Sequence, residues 1–177
     1  MKLKEAKIKG LAFDKSNNTP VVILELLESS LILPIWIGSC EAFALSLAIQ
    51  HTGFPRPLTH DLILNVAAAF NAQPEKVVID TLQENTYHAK LILKNIEKFI
   101  EVDCRPSDGI IIATKVKIPI YVEENIISES GMKIGDLYGK QDEEKEFKNF
   151  VENLDIDKIR DYFKKDEKGK GEENEGS

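Results

Sequence analysis

The sequence predicts an α+β fold: a mixed, largely antiparallel sheet with helices packed on it, plus a short C-terminal helical appendage. Three observations point there. Apolar β-branched runs come in adjacent pairs instead of alternating one for one with helices. Clusters of turn formers, KSNNTP and QENT, separate members of those pairs. Four other stretches read as helices, three of them opened by a hydroxyl residue suited to an N-cap.

The elements follow in order. Lys2 to Phe13 alternates small or apolar residues with charged ones and reads as an edge-type strand. Val21 to Leu27 is an apolar β-branched run, a buried strand. Leu31 to Ile37 is another, and Pro34 marks it as an edge or bulged strand. Gly38-Ser39 opens a helix through Ile49 with Ser39 as N-cap, and Ala42, Leu45, Ala48 and Ile49 share its apolar face. After the loop HTGFPRPL, a second helix runs from Thr59 to about Asn71. Val77–Leu82 and Tyr87–Leu93 form a hairpin around QENT, and Phe99–Val102 is a further short strand. Ser107 to Val116 is a third helix, Pro119–Val122 a strand, and Glu123 to Ser130 a fourth helix stopped by Gly131.

The chain of 177 residues fits one main domain with a small appendage. Residues 140–177 carry 13 acids against 9 bases and little of the apolar patterning, so the main domain is placed at 1–139. Residues 140–164 form a charged helical appendage, because Phe147, Phe150, Val151, Leu154, Ile156, Ile159 and Phe163 recur at helical spacing. Residues 165–177 have no apolar side chain and are expected to be disordered.

The net charge of −7 argues against a protein that coats nucleic acid by bulk electrostatics. No apolar run approaches the roughly 18 residues of a transmembrane helix, and the charged N-terminus lacks the apolar middle of a signal peptide. Cys40 and Cys104 are the only cysteines and lie far apart. A disulfide scaffold or a structural zinc site is therefore not expected, and a reducing cytoplasm is.

The informative chemistry is in two short motifs. The main domain has 14 basic residues but only two arginines, and both precede a proline just ahead of a helix start. One motif reads Arg56-Pro57-Leu58-Thr59-His60-Asp61 and the other Asp103-Cys104-Arg105-Pro106-Ser107-Asp108. A guanidinium grips phosphate or carboxylate in a fork. Helix N-termini capped by Thr59 and Ser107 offer N–H groups to an anion. His60 suits a general acid or base near neutral pH. Asp61, Asp103 and Asp108 suit a divalent cation such as Mg²⁺ or Mn²⁺. Glu41, in the first turn of the first helix, is either a complement to the helix dipole or one more carboxylate of a site. The same residues also allow a structural reading, in which acids serve the helix starts and Arg105 pairs with Asp61 or Asp103. Trp36 alternates with Ile35 and Ile37 and reads as a packing residue rather than a platform for a base.

At these residues the chain resembles the bifunctional nuclease family, named for DNase and RNase activity. The resemblance covers about residues 3–130. It is carried by Leu33-Pro34-Ile35-Trp36-Ile37-Gly38 with Glu41-Ala42, by both arginine-proline motifs, by Tyr87 and Ala89 of the hairpin, and by Pro119-Ile120-Tyr121-Val122. It departs from the family at Gly109, where Ala is usual, and at His88, where a second aromatic is common. The resemblance implies an α+β fold, oligomerisation and action on DNA or RNA.

Two functions follow as expectations. One is a nuclease with little sequence preference, cytoplasmic and homodimeric, with no organic cofactor. Here His60, Asp61, Asp103, Asp108 and Glu41 do the chemistry, and Arg56, Arg105, Thr59 and Ser107 hold phosphate. The other is a non-catalytic oligomeric scaffold whose arginine-proline motifs form a salt-bridge network or bind a small anion. The position of His60 discriminates them: in a solvent-reachable cleft with Asp61 and Asp108 it favours the enzyme, and buried, satisfied arginines favour the scaffold.

Overall fold

Eight strands make one sheet in the computed structural model, which describes residues 2–14 and 18–133. The appendage and tail lie outside the described residues. The elements are β1 (Leu3–Asp14), β2 (Thr19–Leu26), β3 (Leu31–Trp36), α1 (Ser39–Ile49), α2 (Thr59–Ala69), β4 (Gln73–Gln83), β5 (Thr86–Lys94), β6 (Phe99–Cys104), α3 (Pro106–Val116), β7 (Ile120–Glu123), α4 (Glu124–Ser130) and β8 (Met132–Lys133). The strand order is β6-β5-β4-β7-β1-β2-β3-β8. Two antiparallel ladders, β6-β5-β4 and β1-β2-β3, are joined by β7, which runs antiparallel to β1 and parallel to β4. The α+β expectation holds, with every expected strand present.

Local chemistry explains the elements. The β4–β5 turn places Glu84 and Asn85 at φ 49° and 59°, the left-handed pair that a two-residue hairpin needs to match strand twist. In β3, Pro34 pairs with Ile23 of β2, while β8 reaches only Leu31 and Ile32. The missing N–H of Pro34 therefore costs no ladder bond on the open side. β2 sends Val22, Leu24 and Leu26 into the main core and Ile23 to the opposite face, against Ala12 and Ile32. The main core fills the space between the sheet and α1, α3 and α4, with Leu45, Ile110, Ile111, Ile112, Ile126 and Ile127 as its helical contribution.

Two expectations are corrected. β1 is not an edge: it is paired on both sides, by β2 and β7, and its alternation reflects one buried and one wet face. The helices start earlier than the hydroxyl residues suggest. The N-caps are Gly38, Leu58 and Arg105, none with a side-chain cap bond, and Ser39 and Thr59 are already the first helical residues. Ser107 follows Pro106, which fills the first helical position that suits its fixed φ and missing N–H. Gly109 is a close-packed position of α3. A Cβ there would come 2.8 Å from Val77 Cγ1 and 3.4 Å from Cys104 Sγ, so the glycine lets α3 approach β4 closely.

Candidate functional site

The corrected helix starts put three carboxylates in the same local position. Glu41, Asp61 and Asp108 each lie three residues after the N-cap of α1, α2 and α3. There an acid complements the positive end of the helix dipole. Each also has a second partner. The Leu58 N–H donates to Asp61 Oδ2 at 3.0 Å, and Lys115 Nζ lies 2.9 Å from Asp61 Oδ1. Glu41 folds back over Gly38, where any Cβ would collide with its Oε2.

Asp108 is the hub. Arg105 Nε donates to its Oδ2 at 2.7 Å and Arg105 Nη2 to its Oδ1 at 3.1 Å. His60 Nε2 lies 3.0 Å from the same Oδ1, joining α2 to α3. Arg105 Nη2 also reaches Glu41 Oε1 at 2.8 Å, which joins α1 to α3. One guanidinium and one imidazole thus tie three helix starts together. Burial pushes the Asp108 carboxyl up, but the hydrogen bonds from Arg105 and His60 outweigh it and hold the carboxyl below the usual carboxylate range. Asp61 behaves alike: burial raises it, and Lys115 with the Leu58 N–H brings it below its ordinary value. The Arg105 guanidinium is held even more firmly protonated by its bond to Asp108.

The network is not sealed. The Arg105 side chain is 65% exposed, whereas that of His60 is 11% exposed. Arg105 borders a cleft of about 290 Å³ whose walls include Trp36, Glu41, Asn85, Thr86 and Tyr87. Ser107 is buried against the same cleft. So the structure brings together His60, Asp108, Arg105 and Glu41, with Asp61 on the neighbouring position of α2.

It does not bring in Arg56, Thr59 or Asp103. Arg56 is exposed and forms no ion pair among the described residues, and Thr59 is exposed on the first turn of α2. Asp103 is exposed on β6, in register with Lys90. The two motifs are not equivalent copies. Arg105 caps its own helix three residues before Asp108, within reach of one turn, while Arg56 precedes Asp61 by five and stays in the loop.

The three aspartates also do not form the expected cation site. Among the described residues no group of three or more His, Cys, Asp or Glu is placed to hold a metal ion. Both oxygens of Asp61 and of Asp108 already accept from protein donors. These residues do not fit a divalent cation.

Sequence reasoning missed Lys115 and the exposure of Trp36, and it used Tyr87 only as a mark of the resemblance. A signal existed for Lys115: it lies seven residues after Asp108, two turns along the same face of α3. Trp36 is 46% exposed, and its indole N–H donates to Asp14 Oδ2 at 2.9 Å. Cys104 is partly buried beside the site, and burial, then the nearby Asp108 charge, push its thiol up to about 11.

An α+β domain whose ion-paired cluster reaches an open cleft through Glu41 and Arg105 defines a class of protein, and the comparisons identify it. The model of the bifunctional nuclease domain matches residues 22–135, and the chain belongs to that family. An uncharacterized protein of Mycobacterium tuberculosis is 37% identical over 163 residues, covering 88% of this chain and 98% of that protein. Bifunctional nuclease 1 of Oryza sativa is 29% identical over 109 residues, 60% of this chain and 33% of the plant protein. Bifunctional nuclease 1 of Arabidopsis thaliana is 26% identical over 119 residues, 65% of this chain and 37% of its own length. The chain therefore spans about a third of these plant relatives. No helix among the described residues is long and apolar enough to cross a membrane.

Proposed function

We propose that this protein is a nuclease that hydrolyses DNA or RNA with little sequence preference. The observation that carries the reading is the chain Glu41–Arg105–Asp108–His60, whose Glu41 and Arg105 line the cleft while Asp108 and the buried His60 stand behind them, in a family whose named plant relatives are nucleases. In this reading Asp108 fixes the imidazole. A proton on Nε2 of His60, shared with Asp108, leaves Nδ1 as the basic nitrogen that accepts a proton from the attacking water. The exposed guanidinium of Arg105 offsets charge that builds on the phosphoryl oxygens. Glu41 holds Arg105 in place. Mg²⁺ or Mn²⁺ enters only as an ion carried in by substrate phosphates.

The test is cleavage of single-stranded DNA, duplex DNA and RNA by the purified full-length chain beside Asp108→Asn and His60→Ala. Wild-type cleavage that falls at least tenfold in both variants supports the proposal, and unchanged cleavage in both overturns it. Loss of cleavage in chelator, restored by added ion, tests the role of the cation. One observation favours the scaffold reading instead: Arg105 is already shared by two carboxylates, and Asp61 is satisfied by Lys115. A wild-type protein without cleavage, destabilised by Asp108→Asn, supports that reading.

A further inference from the structure

We infer that the cleft takes a single unpaired base of a nucleic-acid strand, stacked on Trp36, so that the substrate is single-stranded. The inference rests on the nuclease reading for what happens to the strand, but not for its binding.

Electrostatics alone gives this cleft little grip on a polyanion. The chain carries a net charge of −7. The cationic side chain on the cleft wall, Arg105, is shared between Glu41 and Asp108. A bound strand therefore needs a contact that does not depend on counterion release. An aromatic face supplies one, because every base has a π-face to stack.

Trp36 is built for that contact. It ends β3 at the cleft wall with nearly half its surface exposed. The bond from its indole N–H to Asp14 fixes the ring, so little side-chain freedom is lost when a base lands on it. Tyr87, also half-buried, stands on the wall formed by β5, and Asn85 and Thr86 in the adjoining turn can meet base edges. Arg105 lies on the same wall, within a cleft sized for about one nucleotide, and can take the adjacent phosphate while Trp36 takes the base. In a duplex both faces of each base are already covered by neighbours, so a duplex cannot use this surface without unstacking.

Trp36 is the single tryptophan of the chain, so its fluorescence reports on this contact alone. The experiment is a stopped-flow titration of the full-length protein with a fluorescein-labelled 12-nucleotide deoxyadenosine strand, recording Trp emission and label anisotropy together before cleavage proceeds. The expected result is quenching of Trp emission in step with the rise in anisotropy. Affinity should fall at least tenfold for the matching duplex and for Trp36→Ala, and less for Trp36→Phe, with melting curves confirming that both variants fold. The slope of log affinity against log salt should be shallow, about that of one or two phosphates. Binding seen by anisotropy with unchanged Trp emission, equal affinity of Trp36→Ala, or no binding at all overturns the inference. Quenching without any cleavage leaves the stacking site standing and removes the nuclease reading. Cleavage that is indifferent to Trp36 and to strandedness does the reverse.

Discussion

His60 Nε2 and Asp108 Oδ1 lie 3.0 Å apart although 48 positions separate the two residues in the chain. The contact joins the start of α2 to the start of α3 and leaves a buried imidazole dependent on one carboxylate that Arg105 also grips.

Asp108→Asn should therefore affect both activity and stability, by different amounts. Cleavage should fall at least tenfold, about 1.4 kcal/mol of barrier. Loss of the charged partner of two donors should cost roughly 1–3 kcal/mol of stability, a fall of several degrees in Tm for a chain of this size. Rates measured well below the variant's Tm, beside chemical denaturation, separate the two effects.

Acid should weaken the fold through Asp61 and Asp108. Both carboxyls sit below their ordinary values in the folded state, which are about 3.9 when unfolded. Their contribution is complete above about pH 5 and is lost as the pH falls through the folded values. Urea midpoints should be level from pH 7 to 5 and drop below about pH 4. Lys115→Met should make that acid limb shallower and lower stability at pH 7 by under about 1 kcal/mol, because the pair it removes is partly exposed.

Gly109→Ala should destabilise the protein. The substitution gains about 1 kcal/mol of helix propensity, but its Cβ meets a stiff β-branched side chain at 2.8 Å, and overpacking of this kind costs roughly 1–3 kcal/mol. Adding Val77→Ala should recover part of the loss relative to Val77→Ala alone. A double-mutant cycle by denaturation measures the coupling.

The two thiols should differ sharply. Cys40 is exposed, while Cys104 is partly buried with its pKa pushed up to about 11 by burial and then by Asp108. At pH 8 the native protein should give one fast equivalent with a disulfide reagent, and the second only on unfolding.

Oligomerisation should run through α2. Leu62, Val66 and Phe70 recur at four-residue steps and are 57%, 49% and 77% exposed. We propose that a second copy covers this row. Light scattering should give a dimer for the wild type and a smaller species for Phe70→Glu. One subunit mass for both would count against it.

Much of this was legible in the sequence, for reasons that individual residues show. Paired β-branched runs and the turn formers between them were sufficient for the strands, since both signals are local. The alternation of β1 fits an edge strand and an inner strand with one wet face equally well; only the later β7 determines that it is flanked. Hydroxyl residues in the cap role put the N-caps one to two residues too late. In the structure the acids at the third helical position, the tight fit over Gly38 and the ring of Pro106 decide the starts instead. The cluster of His60, Arg105, Asp108 and Glu41 was recoverable as a list of residue types. Excluding Arg56 and Asp103 was not, because it depends on an offset of two residues between similar motifs and on which wall of the fold β6 occupies.

The position of β7 bears on how the protein is made. Residues 3–36 and 73–104 each close a ladder from chain already synthesised, but the four residues 120–123 that join the ladders come afterwards. While the ribosome is still adding α3, the flank of β1 and the flank of β4 both stand open, with N–H and C=O groups that any neighbouring strand can pair. The nascent chain carries two sticky seams until its last central strand emerges, and a stall just upstream of Ile120 leaves a product with the starts of α1, α2 and α3 in hand and no way to bring its halves together.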